Sequence, residues 1–123
     1  MKKTIVAALL AALAMTASAQ SIMVPQGFFT GNTYQQLTDI DKRRYVIGVI
    51  DGLLASPLMA KGSLPRAEKL QRCELAAHMT DIQIKAIVDK FMSSNPERWG
   101  EDMGSLVFIA LQAACTKLGV ALD

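Results

Sequence analysis

Cys73 and Cys115 are the only cysteines in a chain of 123 residues, and whether they are joined constrains the possible folds more than any other pair of positions. The answer turns on the compartment. The opening residues, MKKTIVAALLAALAMTASAQ, set Lys2 and Lys3 ahead of an apolar run from Ile5 to Met15 and close on Ala17-Ser18-Ala19, the small residues that a signal peptidase needs. Residues 1–19 therefore read as a cleaved export signal, with the exported chain, residues 20–123, starting at Gln20. The apolar run is about a dozen residues, short of the roughly 20 that a bilayer span requires, and no cysteine follows the cut to carry a lipid. The expected location is a bacterial periplasm, with no membrane association after cleavage. There the economical reading is one intrachain disulfide, Cys73–Cys115. Closing a loop of about 43 residues stabilises a fold by roughly 4 kcal/mol on the chain-entropy account. The alternatives are pairing between chains and a reactive or metal-binding thiol. His78, the sole histidine, lies five residues after Cys73, and one Cys with one His falls short of the three or four ligands of a zinc site, so no metal or cofactor is expected.

Removing the signal changes the charge balance. The full chain has 13 Lys and Arg against 11 Asp and Glu, and two of the lysines lie in the signal, so the exported part is formally neutral. A nucleic-acid partner calls for a basic face that neutralises several phosphates, and that class is set aside. The remaining length fits a single domain that buries about 65% of its unfolded surface.

Periodicity argues for helices throughout. Pro25 and two glycines make residues 20–32 an extended arm ending in a turn at Thr30-Gly31-Asn32, with Phe28 and Phe29 in need of cover and a short helical turn over Thr33 to Leu37. Thr38 followed by Asp41 marks a helix start, and Val46, Val49, Ile50, Leu53 and Leu54 form its apolar stripe before Pro57 stops the run. Ser63 is the expected cap of a polar helix from Pro65 to about Leu75, pinned by Leu70 and Cys73. Thr80-Asp81-Ile82-Gln83 has the form of a capping box, and Ile84, Ile87, Val88, Phe91 and Met92 mark the helix that follows, to about Ser94. Asn95 is the expected cap of a turn begun by Pro96. Met103, Leu106, Val107, Ala110, Leu111 and Ala114, with Cys115, make the last core helix. The predicted fold is all-α, a small bundle of four to five helices with one disulfide.

One helix face conflicts with local propensity. Arg44, Gly48, Asp51, Gly52 and Ala55 share a sector opposite the apolar stripe, and each glycine costs about 1 kcal/mol against alanine in a helix. Two explanations stand: another element of the chain crosses closely there, with Arg44 and Asp51 hydrogen-bonded, or the sector is a homodimer face. In either case Asp51 is expected to be paired or at least partly wet.

Phe29-Thr30-Gly31-Asn32, Tyr45 with Gly48 and Asp51, Cys73, Met79-Thr80-Asp81 with Gln83, Asn95-Pro96-Glu97 with Trp99, and a closing apolar helix that ends at Cys115 resemble the Rap/Tai family over nearly the whole exported chain. That family consists of secreted helical immunity proteins. The additional cysteine pair it commonly carries around the first helix has no counterpart in residues 37–45. The resemblance implies a periplasmic protein, typically dimeric, that binds and blocks a peptidoglycan amidase delivered by type VI secretion.

The residues themselves argue against an enzyme. No nucleophile elbow, zincin motif or phosphate-binding loop occurs, and His78 stands among Ala76, Ala77 and Met79 with no partner suited to general base work, so it reads as a surface or capping residue. A module that binds another protein needs a few anchors on a rigid scaffold. Trp99 is the first candidate, with Tyr34 and Tyr45 behind it, and Met59 in Ser56-Pro57-Leu58-Met59 is a second, as an apolar loop that enters a cleft. The competing readings are that Trp99 closes the core and that Met59 packs as linker. A different class, the small periplasmic acid-stress chaperone, is also helical, exported and disulfide-bonded. Its acids would be neutralised at low pH and its aliphatic faces exposed.

Overall fold

A computed structural model describes residues 29–123, which form five α-helices with no β-strand among them. The expected export signal, the expected start at Gln20 and Phe28 lie outside the described residues. The helices are α1, Gly31–Gln35; α2, Asp39–Ala55; α3, Pro65–Ala76; α4, Asp81–Ser94; and α5, Met103–Lys117, with short 3-10 turns at Ser56–Leu58 and Pro96–Arg98. No described helix is long and apolar enough to cross a membrane.

The helix starts follow the chemistry of the caps. The Thr38 hydroxyl accepts from Asp41 N–H at 3.3 Å, and Asp39 and Asp41 complement the positive end of α2. At α4 both halves of the capping box form: Gln83 N–H donates to the Thr80 hydroxyl at 3.3 Å, and Thr80 N–H donates to Gln83 Oε1 at 2.8 Å. Asp102 starts α5 by accepting from Gly104 and Ser105 N–H. Burial pushes its carboxyl up, but the hydrogen bonds from Ser105 and Gly104 outweigh that and hold it below the usual aspartate range.

Three local expectations are corrected. Thr30-Gly31-Asn32 is not a free turn, because the Thr30 hydroxyl caps Thr33 N–H and the helix already begins at Gly31. Ser63 does not cap α3; Leu64 occupies the cap position and makes no side-chain hydrogen bond there. Asn95 holds the cap position of the Pro96 turn, where its carbonyl accepts from Arg98 N–H at 3.1 Å, but its side chain faces backwards, donating from Nδ2 to Phe91 O at 2.7 Å, and so closes α4 instead of capping the turn.

The apolar α5 is the central post and touches all four other helices, most extensively α4. Its Met103, Leu106, Val107, Ala110, Leu111 and Cys115 are buried against Val46 and Ile50 of α2, Leu70 and Cys73 of α3, and Ile84, Val88 and Met92 of α4. Cys73 and Cys115 are joined, with Cα atoms 5.9 Å apart, and both are shielded from water. The disulfide links the polar α3 to the apolar α5, and the closed loop contains the whole of α4.

Both ends of the described segment are tied down as well. Met103 N–H donates to Phe29 O at 2.7 Å, Gly31 N–H to Glu101 O at 3.2 Å and Asn32 N–H to Trp99 O at 2.7 Å, binding the first described residues to the loop before α5. At the other end Leu122 is fully buried and Gln112 Nε2 donates to the Asp123 carboxylate at 2.8 Å.

Candidate functional site

The predicted anchors fall into two very different environments. Tyr34, named from sequence as a partner-binding residue, has no exposed surface. Its hydroxyl donates to Asp89 Oδ1 at 2.8 Å, its ring packs beside Tyr45, and Lys42 Nζ lies 5.3 Å from the ring centroid. Burial, then the bond to Asp89, pushes the phenol well above its ordinary value. Tyr34 is therefore corrected from anchor to core residue: an apolar ring whose one polar atom is satisfied gains more from burial than from solvent. Phe29 stacks on Tyr45 with centroids 4.5 Å apart, so the cover that its sequence demanded is the aromatic face of α2. Burial also pushes the Tyr45 phenol up to about 12.

Trp99 is only partly exposed. Its Nε1–H donates to Met92 O at 2.8 Å, and its backbone carbonyl receives Asn32 N–H. Gly31 packs so tightly on it that an added Cβ would lie 2.9 Å from Trp99 Cα. The indole closes the corner between the Pro96–Arg98 turn and the end of α4.

The turn Ser56–Leu58 is the reverse case. Leu58 is 87% exposed and Met59 91%, the two most exposed of the large hydrophobic side chains among the described residues. The backbone beneath them is fixed: Ser56 donates its hydroxyl to Leu53 O, Met59 N–H donates to Ser56 O at 3.0 Å, and Pro57 restricts φ. Two adjacent apolar side chains are thus held in water on a constrained turn.

On the outer face of α2, Arg44, Gly48, Asp51, Gly52 and Ala55 are all exposed. A Cβ added at Gly48 or Gly52 would meet no atom within 4 Å. The expectation that another element of the chain crosses closely there is corrected among the described residues: α3, α4 and α5 pack chiefly on the side of Val46 and Ile50, and Asp81 of α4 reaches only the edge of the sector beside Arg44, Gly48 and Asp51. Arg44 reaches Asp41 at 3.5 Å rather than Asp51, which is wet, as a lone charge requires. Asp51 acts on α3, where burial first, and the Asp51 charge second, push the Glu74 carboxyl up; one Glu74 oxygen is buried with no hydrogen-bond partner.

His78 has a conformational role that its sequence neighbours do not announce. Its φ is +48°, and His78 N–H donates to Leu75 O at 3.2 Å while Met79 N–H donates to Glu74 O at 3.1 Å. This pair of bonds is the Schellman closure of a helix. The same closure ends α5, with Gly119 at φ +85° and Val120 N–H bonded to Cys115 O at 2.9 Å. Glycine at the second site is legible in the sequence; histidine at the first is not, because it lacks the residue type that usually signals a left-handed position.

Sequence reasoning also missed a charge relay between helices. Lys85 of α4 bonds Asp89 Oδ2 at 2.6 Å and pairs with Asp39 at the start of α2, while Asp89 receives the Tyr34 hydroxyl. The hydrogen bond from Lys85 holds the Asp39 carboxyl below the usual aspartate range, and the bond to Asp39 raises the Lys85 ammonium. The i, i+4 spacing of Lys85 and Asp89 is visible in the sequence; the long-range partners are not. Among the described residues no group of three or more His, Cys, Asp or Glu side chains is arranged to hold a metal ion. Comparison with protein-family models, with curated proteins and with solved structures finds no match to this chain.

Proposed function

We propose that the protein is an exported periplasmic binding module that inhibits a peptidoglycan amidase in the manner of an immunity protein. The observation that carries the reading is the pair Leu58 and Met59, 87% and 91% exposed on a turn fixed by Pro57 and Ser56. A turn whose backbone is already fixed loses little backbone freedom when a cleft covers the large apolar side chains on it, which favours its use as a plug. The disulfide and the central α5 supply the rigid scaffold that such a plug needs, and the resemblance of the chain to the Rap/Tai family names the kind of cleft. The test is titration of the purified exported chain into a panel of cell-wall amidases, with residual hydrolysis as the readout. Inhibition of one enzyme, lost with Leu58→Asp and Met59→Asp, supports the reading; no inhibition across the panel sinks it.

The open sector of α2 fits a homodimer within this reading. Arg44 and Asp51 flank Gly48, so a two-fold antiparallel pairing would set the arginine of each copy against the aspartate of the other. Light scattering checks it: Gly48→Arg should leave a monomer if this face pairs.

A second reading, an acid-stress chaperone, is favoured by the ion pairs that join α2 to α4. Asp39, with its carboxyl held low, contributes stability that is present above its unfolded value and is lost as the pH falls through the folded one. Thermal melts taken at descending pH should show this loss below about pH 4, and Lys85→Met should flatten it. Suppression of client aggregation at about pH 3 would favour this reading, whereas a chain that stays folded and inert there removes it.

A further inference from the structure

We infer that the groove between α4 and α5 is the docking site for an acidic amphipathic helix of a partner protein. The inference rests on the binding-module reading and assigns it a second contact surface. The groove encloses about 500 Å³. Ile87 and Phe91 of α4 form one wall, Ala110, Ala113 and Ala114 of α5 form the other, and Leu118 stands at the end of the α5 wall. Alanines at i, i+3 and i+4 raise no long side chain, so a third helix can approach the α5 backbone closely along them. The groove is the outer seam of the pair, since Val88 and Met92 of α4 and Leu106 and Leu111 of α5 are fully buried within the bundle.

The charge around the groove has one sign. Lys90 stands on the α4 wall and Lys117 on the α5 wall, and among the described residues no carboxylate lines the space. Both ammonium groups are exposed, and neither lies in an ion pair among the described residues. Arg98 sits over the Phe91 ring at 5.6 Å, but Glu101, 2.7 Å away, neutralises it. An occupant with an apolar stripe and acids on both flanks matches that arrangement.

Two features favour a helix over a small anionic amphiphile. Ala113 is exposed and Leu118 is 58% exposed, so the space is an open trough rather than a cavity enclosing most of a ligand. The cations also stand on opposite walls, whereas a single head group calls for them to converge. From Ile87 to Ser94 and from Ala110 to Leu118 the walls run for about 10–12 Å at 1.5 Å per residue, the length that anchors at i, i+3 or i+4, and i+7 occupy on a docked helix.

The test uses the full exported chain and two synthetic peptides of about 18 residues, which carry the same leucine stripe flanked by Glu in one and by Lys in the other. NMR titration should place the shifts from the Glu peptide at Ile87, Phe91, Ala110 and Ala114, with affinity at least about ten-fold above the Lys peptide. Lys90→Glu with Lys117→Glu should reverse that preference without moving the melting temperature, and Ala113→Trp should block both peptides. Equal binding of the two peptides, or a preference that survives charge reversal, overturns the inference. So does sodium dodecanoate shifting the groove residues where the Glu peptide does not. Amidase inhibition separates the two readings: groove variants that inhibit normally, while the Leu58 and Met59 variants do not, sink the docking site and leave the binding module standing.

Discussion

The corner formed by Phe29, Gly31 and Trp99 and the turn carrying Leu58 and Met59 both present large apolar side chains next to a proline-bearing 3-10 turn. In the corner, three backbone hydrogen bonds tie the first described residues to the loop before α5, and the indole N–H is satisfied by Met92 O. In the Ser56–Leu58 turn the backbone is equally fixed, yet the side chains above it touch little. Local rigidity is therefore common to both, and what distinguishes them is whether the rest of the chain arrives to cover the surface. A corner so covered serves stability; a fixed turn left uncovered is available to a partner.

Substitutions should separate the two regions by their effect on stability. The largest change is expected from Gly31→Ala, whose Cβ would lie 2.7 Å from Met92 Cε and 2.9 Å from Trp99 Cα and O. The methionine end can move, but the Trp99 backbone, held by Asn32 N–H, cannot move easily, so a loss of about 2 kcal/mol is expected from urea unfolding. A loss below about 0.5 kcal/mol would show that the corner yields. Tyr34→Phe removes the hydroxyl that donates to Asp89 while keeping the ring, and about 1 kcal/mol should be lost. If the variant instead weakened amidase inhibition at full stability, Tyr34 would belong with the partner surface after all.

A change of the opposite sign is expected at the end of α3. His78→Gly relieves a side chain at φ +48° and should stabilise the protein by about 1 kcal/mol, read as a rise in urea midpoint at constant slope. Destabilisation would mean that the imidazole makes a contact worth more than the strain. The smallest effect belongs to the turn: Leu58→Ser with Met59→Ser should stay within about 0.5 kcal/mol of the parent, because neither side chain is covered. Loss of stability there would show that the turn is structural and remove the principal support for its proposed role as a plug.

Much of this architecture is legible in the amino-acid sequence. The caps at Thr38 and Thr80 are short-range chemistry, and their hydrogen bonds form as the spacing of Asp41 and Gln83 predicts. The apolar stripes of α2, α4 and α5 converge on one core, and Cys73 meets Cys115. The departures share a cause. An aromatic residue in a polar stretch looks exposed, which makes Tyr34 resemble an anchor, and only Asp89, distant in the chain, makes its burial tolerable. Glycine in a helix implies a close neighbour, yet among the described residues no atom lies within 4 Å of where a Gly48 Cβ would stand. Ile87, Phe91 and Ala110 share a core-facing period, and nothing in that period signals that part of the face remains an open groove.

The helices, most of their ends and the apolar stripe each one buries follow from the order of the residues alone, since these depend on side chains within four positions of one another. Packing of the whole chain settles which faces stay uncovered: the turn at Leu58 and Met59, the outer sector of α2 and the seam between α4 and α5. Periodicity states which residues share a face, but exposure depends on how many other helices the chain can bring against it, and the four other described helices around α5 do not cover every side.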